Sequence, residues 1–183
     1  MSSLVKLLSL LTIIVSLGAC STRYPNQTPL DQPFPAVAGT TLSKQQVNLP
    51  GHFAGRPVVL LIGYVQDAQF DIDRWLIGLD MTQTRVEVFE LPTIAGMLPR
   101  MFETQINDGM RAGIPKALWG GVITVFEDGD KVVGFTGNTN PNNARVLLLD
   151  AQGQVKFFYD EGFAVAPLNA LRQALAQQSS SGN

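Results

Sequence analysis

The run PVVLLIGY at residues 57–64 restricts the fold more than any other feature of the chain. A strand that is apolar at consecutive positions, not alternate ones, must be covered on both faces, which puts it inside a sheet with a layer on either side. Residues 67–80 follow with Ile72, Trp75, Leu76 and Leu79 at helical spacing, one apolar stripe. Strand then helix at this distance predicts a crossover to a parallel neighbour.

The pattern continues in the same style. VEVFEL, residues 86–91, alternates and stops at Pro92, a second strand. Residues 96–112 place Leu98, Met101, Phe102, Ile106 and Met110 at helical intervals, a predicted core face, with Gly113 and Pro115 ending the helix. Residues 122–126 read as a third strand. Residues 131–135 fit either the return arm of a hairpin over Asp128-Gly129 or a short helical crossover, and the crossover is preferred. Strands at 145–150 and 155–159 flank AQGQ as a hairpin. Residues 167–177, with Leu168, Leu171 and Leu175 on one side, form a closing helix that starts on Pro167. The expected class is α/β: a central mixed sheet flanked by helices in three layers.

The first residues follow different rules. Lys6 is their only charge, residues 7–17 are mostly apolar, and Gly18-Ala19 precede Cys20, the sole cysteine. That is the layout of an export signal, too short to span a bilayer, which needs about 20 residues. LGAC at 17–20 resembles the lipobox of bacterial lipoproteins. The resemblance implies a signal peptide at 1–19, cleavage before Cys20, and acylation of its sulfur, giving a membrane partner through the lipid. By the same family's sorting rule, Ser21 in place of Asp implies the periplasmic face of the outer membrane. Residues 20–38, with Pro25, Pro29, Pro33 and Pro35, are expected to be an extended, semi-rigid tether. Residues 39–177 form one domain and 178–183 a flexible tail.

Removal of Lys6 with the leader leaves 12 of the 13 Lys and Arg against 15 Asp and Glu, a formal charge of −3. There is no basic run, so nucleic acid is not an expected partner. A domain of this length buries about 68–70% of its unfolded surface and needs no disulfide.

GTTLSKQQVNLPGHFAGRPVVLL at 39–61 resembles the entry hairpin and first buried strand of the thioredoxin-like fold, in its peroxiredoxin and periplasmic thiol-disulfide oxidoreductase branch. LLLDAQGQVKFF at 147–158 resembles that branch's terminal hairpin. The resemblance implies a Cys-x-x-Cys where the first strand meets its helix, but those positions are Ala68 and Asp71. The proline expected before the hairpin strand is Ala144, with Pro141 three residues early. Thiol chemistry needs a thiolate and a resolving partner, so no thiol-disulfide oxidoreductase activity is expected. FELPTIAGMLPRMFETQINDGMRAGIPKAL at 89–118 resembles the mitochondrial ATP-synthase assembly factor family, through Glu90-Leu91-Pro92 and the 107–115 stretch. That resemblance implies a protein-binding, assembly or chaperone role, with no cofactor.

Candidate binding residues are Asp71, Met110, Arg111, Trp119 and Arg145; none is assigned as catalytic. Asp71 and Arg145 would serve a non-thiol enzyme or small-ligand binder only if they met in one pocket, and a structural envelope lipoprotein is the remaining alternative. Asp67, Asp71 and Asp73 lie in a helix's first turn, where a carboxylate gains about 0.3–1 kcal/mol, and this structural role is preferred to a metal site. His52 is alone and reads as a loop residue. Met97, Met101 and Met110 read as core, with Arg100 and Arg111 beside them. Trp75 reads as core and Trp119 as a partner contact or a cover for the sheet edge.

Overall fold

The computed structural model describes residues 24–96 and 101–181. The leader, Cys20, Met97, Leu98 and Arg100 lie outside them. The described chain contains strands β1 (Val37–Thr41) and β2 (Gln46–Leu49), then β3 (Val58–Gly63), helix α1 (Gln69–Met81) and β4 (Glu87–Pro92). Helix α2 (Glu103–Gly113), β5 (Ile123–Thr124) and helix α3 (Gly129–Thr136) follow. Strands β6 (Arg145–Leu149) and β7 (Val155–Tyr159) and helix α4 (Val165–Ser181) complete it.

The strands pair in the orders β2-β1-β5 and β4-β3-β6-β7. Parallel bridges Glu90↔Val122 and Thr93↔Val125 join the two sets into one mixed sheet. β3 is parallel to β4, with Leu60 opposite Phe89, and antiparallel to β6, with Ile62 opposite Arg145. All six residues of β3 are buried, as the aliphatic run requires. Val59, Leu61, Val146 and Leu148 meet Ile72, Trp75 and Leu79 of α1 and Leu168 and Leu171 of α4. On the opposite face, Leu60, Ile62, Leu147 and Leu149 pack under Val132 of α3, Phe34 and Phe53. The result is the three-layer mixed architecture the periodicity predicts, and residues 131–135 take the helical alternative within α3.

Four expectations change. β5 is two residues long instead of five: β1 pairs with it only at Ile123 and Thr124, while Val122 and Val125 meet the β4 side through single parallel bridges, Val125 donating to Pro92 and accepting from Ile94. α2 starts at Glu103, and its apolar side is not core: Met101 and Phe102 are 74% and 55% exposed, and only Asn107 of the helix is buried. The amphipathic pattern is real, but its apolar residues within the helix, Ile106 and Met110, are only half-buried. α4 begins two residues before Pro167 and runs to Ser181, so residues expected as a tail extend the helix.

The fourth change concerns the tether. From Tyr24 onward it is a strap laid on the domain. Tyr24 donates its amide to the Asn138 side chain at 2.9 Å, and Asn138 returns its amide to the Tyr24 carbonyl at 3.0 Å. Gln27 donates to Thr136, Asp31 to Val155, Val155 to Gln32, and Phe34 to Gly153. Pro29 and Phe34 are buried, and Phe34 packs edge-on against Phe135 at 5.8 Å. Prolines remove donors from an extended chain, but the amides between them found acceptors on the hairpin and α3. Gly137, at φ +76°, is the crossing point. A Cβ there would strike the Pro25 carbonyl and the Asn26 backbone, so a residue without a side chain is needed both for the conformation and for the strap's passage.

Candidate functional site

The end of β3 leads through Tyr64 and a 3-10 turn (Gln66–Ala68) into α1. The helix start is pressed onto the strand: a Cβ on Gly63 would lie 3.4 Å from that of Ala68 and 3.2 Å from Ile72 Cδ1. Ala68 has no exposed surface, and Asp71 is 5% exposed. The Asp71 carboxylate accepts the amide of Ala144 on Oδ2 at 2.9 Å and the amide of Phe163 on Oδ1 at 2.7 Å. One side chain thus joins α1, the turn before β6, and the β7–α4 loop. Proline has no N–H. A carboxylate at 71 and a non-proline at 144 are therefore a matched pair, each giving the other its hydrogen-bond partner.

Arg145 starts β6 one residue later and leaves by the other face of the sheet, the face of Leu147, because side chains alternate along a strand. It is fully buried. Nε donates to the Gly137 carbonyl at 3.2 Å, and NH1 donates to the carbonyls of Asn140 and Asn143. The guanidinium lies 5.2 Å from the centre of the Tyr64 ring, and Tyr64 Oη bonds to Thr136. Burial lowers the Arg145 pKa, which the Tyr64 and Asp160 charges oppose. Burial likewise pushes the Tyr64 phenol up to about 12, against the Thr136 hydrogen bond and the Arg145 charge. Arg145 holds the 137–143 loop by its carbonyls. Asp71 and Arg145 therefore do not converge: they pin adjacent residues from opposite faces, and the pocket that a joint enzymatic role required is not formed.

The other candidates act within the insertion. Arg111 donates from Nε to the Leu42 carbonyl at 2.8 Å and pairs with Asp108 at 2.7 Å, tying α2 to the β1–β2 turn. Trp119, half-buried in a 3-10 turn (Lys116–Gly121), donates Nε1 to the Ile114 carbonyl at 2.9 Å. Met110 is half-buried. Trp75 is core, and His52 is exposed beside Phe53 and Phe89. Of the acidic trio, Asp67 is exposed and Asp73 accepts from Gln69, and no metal-holding group of three ligands occurs among the described residues.

Two features escaped the sequence reading. Outside the Asp71 clamp lies a shallow open depression bordered by Phe70, Arg74, Asn142, Asn143, Glu161 and Phe163. Phe70 is 71% exposed, and with Ile77 and Met81 it forms a second stripe at spacings of seven and four along α1. The signal was present, but counting the inner stripe consumed the helix.

Glu90 supplies a pH dependence. Gln69 Nε2 reaches its carboxylate at 3.1 Å while also holding Asp73 at 2.9 Å. Burial raises the Glu90 pKa, the Gln69 hydrogen bond opposes this, and Asp73 adds to it. A raised folded-state value means that the folded protein holds this proton more tightly than the unfolded chain. That stability is present below the ordinary glutamate range and is lost as pH rises through the raised value. Glu90→Gln is expected to raise the thermal midpoint at pH 7 and to leave it nearly unchanged near pH 4. Equal midpoints at pH 7, measured by scanning fluorimetry, would contradict the assignment.

No protein-family model and no curated protein sequence matches this chain. Solved structures do. The thiol peroxidase from Chromobacterium violaceum superposes with a TM-score of 0.58 at 12% identity, covering 87% of this chain and 92% of its own. The fold is thioredoxin-like. The exposed lipoprotein thioredoxin of Streptococcus pneumoniae matches with a TM-score of 0.53 at 11% identity, over 78% of this chain and 99% of that one. BsSco, of the Sco family of cytochrome c oxidase assembly proteins, gives 0.54 at 8% identity over 84% and 98%. The neighbours include redox proteins. In this thioredoxin-like chain the junction of β3 and α1 carries a buried alanine at 68 and a clamped aspartate at 71. No helix among the described residues is long and apolar enough to cross a membrane.

Proposed function

We propose that the chain is a lipid-anchored, redox-inactive thioredoxin-like module of the bacterial cell envelope that binds protein, in an assembly or chaperone role. The observation that carries this reading is the Asp71 clamp. Thiol exchange requires a nucleophile exposed at the helix start, whereas here that junction is closed by hydrogen bonds from Ala144 and Phe163. The fold is kept while its usual chemistry is replaced by a structural tie. Two neighbours fit the context by their own descriptions, one an exposed lipoprotein thioredoxin and one from an assembly-protein family. The LGAC sequence supports lipid on Cys20, on the periplasmic face of the outer membrane. The partner surface is the insertion, where Met101, Phe102 and Leu118 are exposed.

The test uses the full chain expressed in a bacterium that processes lipoproteins. Membrane-extracted protein should carry a diacylglyceryl mass on Cys20, and Cys20→Ser should move it to the soluble fraction. A photo-crosslinker at Phe102 should yield a discrete adduct with an envelope protein, and one at Gln152 should not. Unmodified Cys20 in the membrane fraction, measurable reduction of insulin disulfides, or identical smears from both crosslinker positions would each count against the reading.

A further inference from the structure

Anchoring at Cys20, the reading given above, has a geometric consequence because the strap is docked. Only Ser21, Thr22 and Arg23 separate Cys20 from Tyr24, whose backbone is bonded to Asn138. Four residue steps reach at most about 14 Å. Residues 20–37 as a free polyproline-like spacer would have spanned roughly 55 Å. The headgroup layer itself is about 5–8 Å deep, so the pole of the domain that receives the strap can stand off by little more than the headgroups.

That pole is the end carrying the Asp71 clamp. Asn26 of the strap donates to the Asp160 side chain at 2.6 Å and accepts from the Thr139 amide at 2.9 Å. Asn143 donates to the Asp160 carbonyl at 3.0 Å and borders the same depression as Phe70. Phe70, 71% exposed, and Val65, 43% exposed, project from this end at the start of α1. A Phe on the apolar side of a helix at a membrane surface buries into the boundary between headgroups and acyl chains.

We propose that two points seat this pole on a lipid bilayer, the acyl chains on Cys20 and the side chain of Phe70, so that the closed thioredoxin site faces the headgroups. The exposed Asp67 and Glu161 outnumber Arg74 at this end, so attraction to anionic lipid is not what holds it. Seating should occur on zwitterionic membranes.

The experiment reconstitutes the lipidated full chain, as Phe70→Trp or Gln152→Trp, into phosphatidylcholine vesicles containing acyl-brominated lipid. Gln152 is exposed on the β6–β7 turn at the opposite pole, and Trp75 and Trp119 give both variants the same background. Bromolipid should quench more than half of the emission added by Phe70→Trp and leave that added by Gln152→Trp unchanged. Thermal midpoints within about 2 °C of the parent would show that both variants fold. Vesicle-bound protein with neither tryptophan quenched, or with both quenched equally, overturns the seating while leaving the lipid anchor intact. Failure of the parent chain to float with the vesicles removes the anchor, and the seating with it.

Discussion

Arg145→Ala is expected to destabilise the domain by about 4–6 kcal/mol, a large share of the 5–15 kcal/mol a domain of this size holds. The guanidinium is fully buried and satisfies the carbonyls of Gly137, Asn140 and Asn143. Alanine leaves a cavity the size of a long side chain, a loss of about 2–5 kcal/mol for comparable truncations. It also takes a donor from each carbonyl: Gly137 keeps Thr136 Oγ1 and Asn140 keeps the Asn143 amide, while Asn143 loses its donor, at about 1–3 kcal/mol where water cannot reach it. Arg145→Met separates the two effects, since it fills the space and restores no hydrogen bond. Arg145→Lys should fall between them, because an ammonium donates from one point where the guanidinium spans several carbonyls. Urea titrations of the three variants provide the comparison. A loss below 1 kcal/mol for Arg145→Ala, or Arg145→Met equal to wild type, would mean that the loop at 137–143 holds its shape without the cation.

Asp71→Ala is the second large effect, about 3–4 kcal/mol. Two backbone amides lose a charged acceptor, and hydrogen bonds to charged groups contribute about 1.5–3 kcal/mol each. Asp71→Asn keeps one acceptor oxygen and should recover roughly half. The matched pair gives a sharper result. Ala144→Pro removes the amide that meets Asp71 Oδ2, so it should be costly in the wild-type chain and much less costly in Asp71→Ala. A coupling energy of about 1.5–3 kcal/mol in that double-mutant cycle is the expected result. Additive losses would show that positions 71 and 144 diverge from the thioredoxin pattern independently.

Much of this architecture could be read from local spacing. PVVLLIGY had to be an interior strand, and the stripe of Ile72, Trp75 and Leu79 had to face it, because periodicity is a property of neighbours in sequence. What failed was whatever depended on partners far along the chain. Arg145 is a candidate on sequence grounds, but whether it shares a face with Asp71 is fixed by β-sheet register, and one residue's shift in a strand reverses the answer. The 96–112 pattern has an apolar side, yet amphipathicity does not say whether anything covers it, and Met101 and Phe102 lie open. The strap looked like a linker because its composition is that of one. Its hydrogen bonds to Thr136 and Asn138 join residues more than a hundred positions apart, and no local pattern carries that information.

The strap's crossing at Gly137 also bears on the order in which the molecule is made. Tyr24 is translated early, yet its partner Asn138 follows 114 residues later, and Val155 and Gly153 of the final hairpin, which receive Asp31 and Phe34, come later still. Contacts of such wide separation close slowly, because the entropy of a long loop must be lost before they form. The first described segment to be synthesised is thus among the last to settle. Until the final hairpin is made, Asp31 and Phe34 of the strap have no acceptors to dock on.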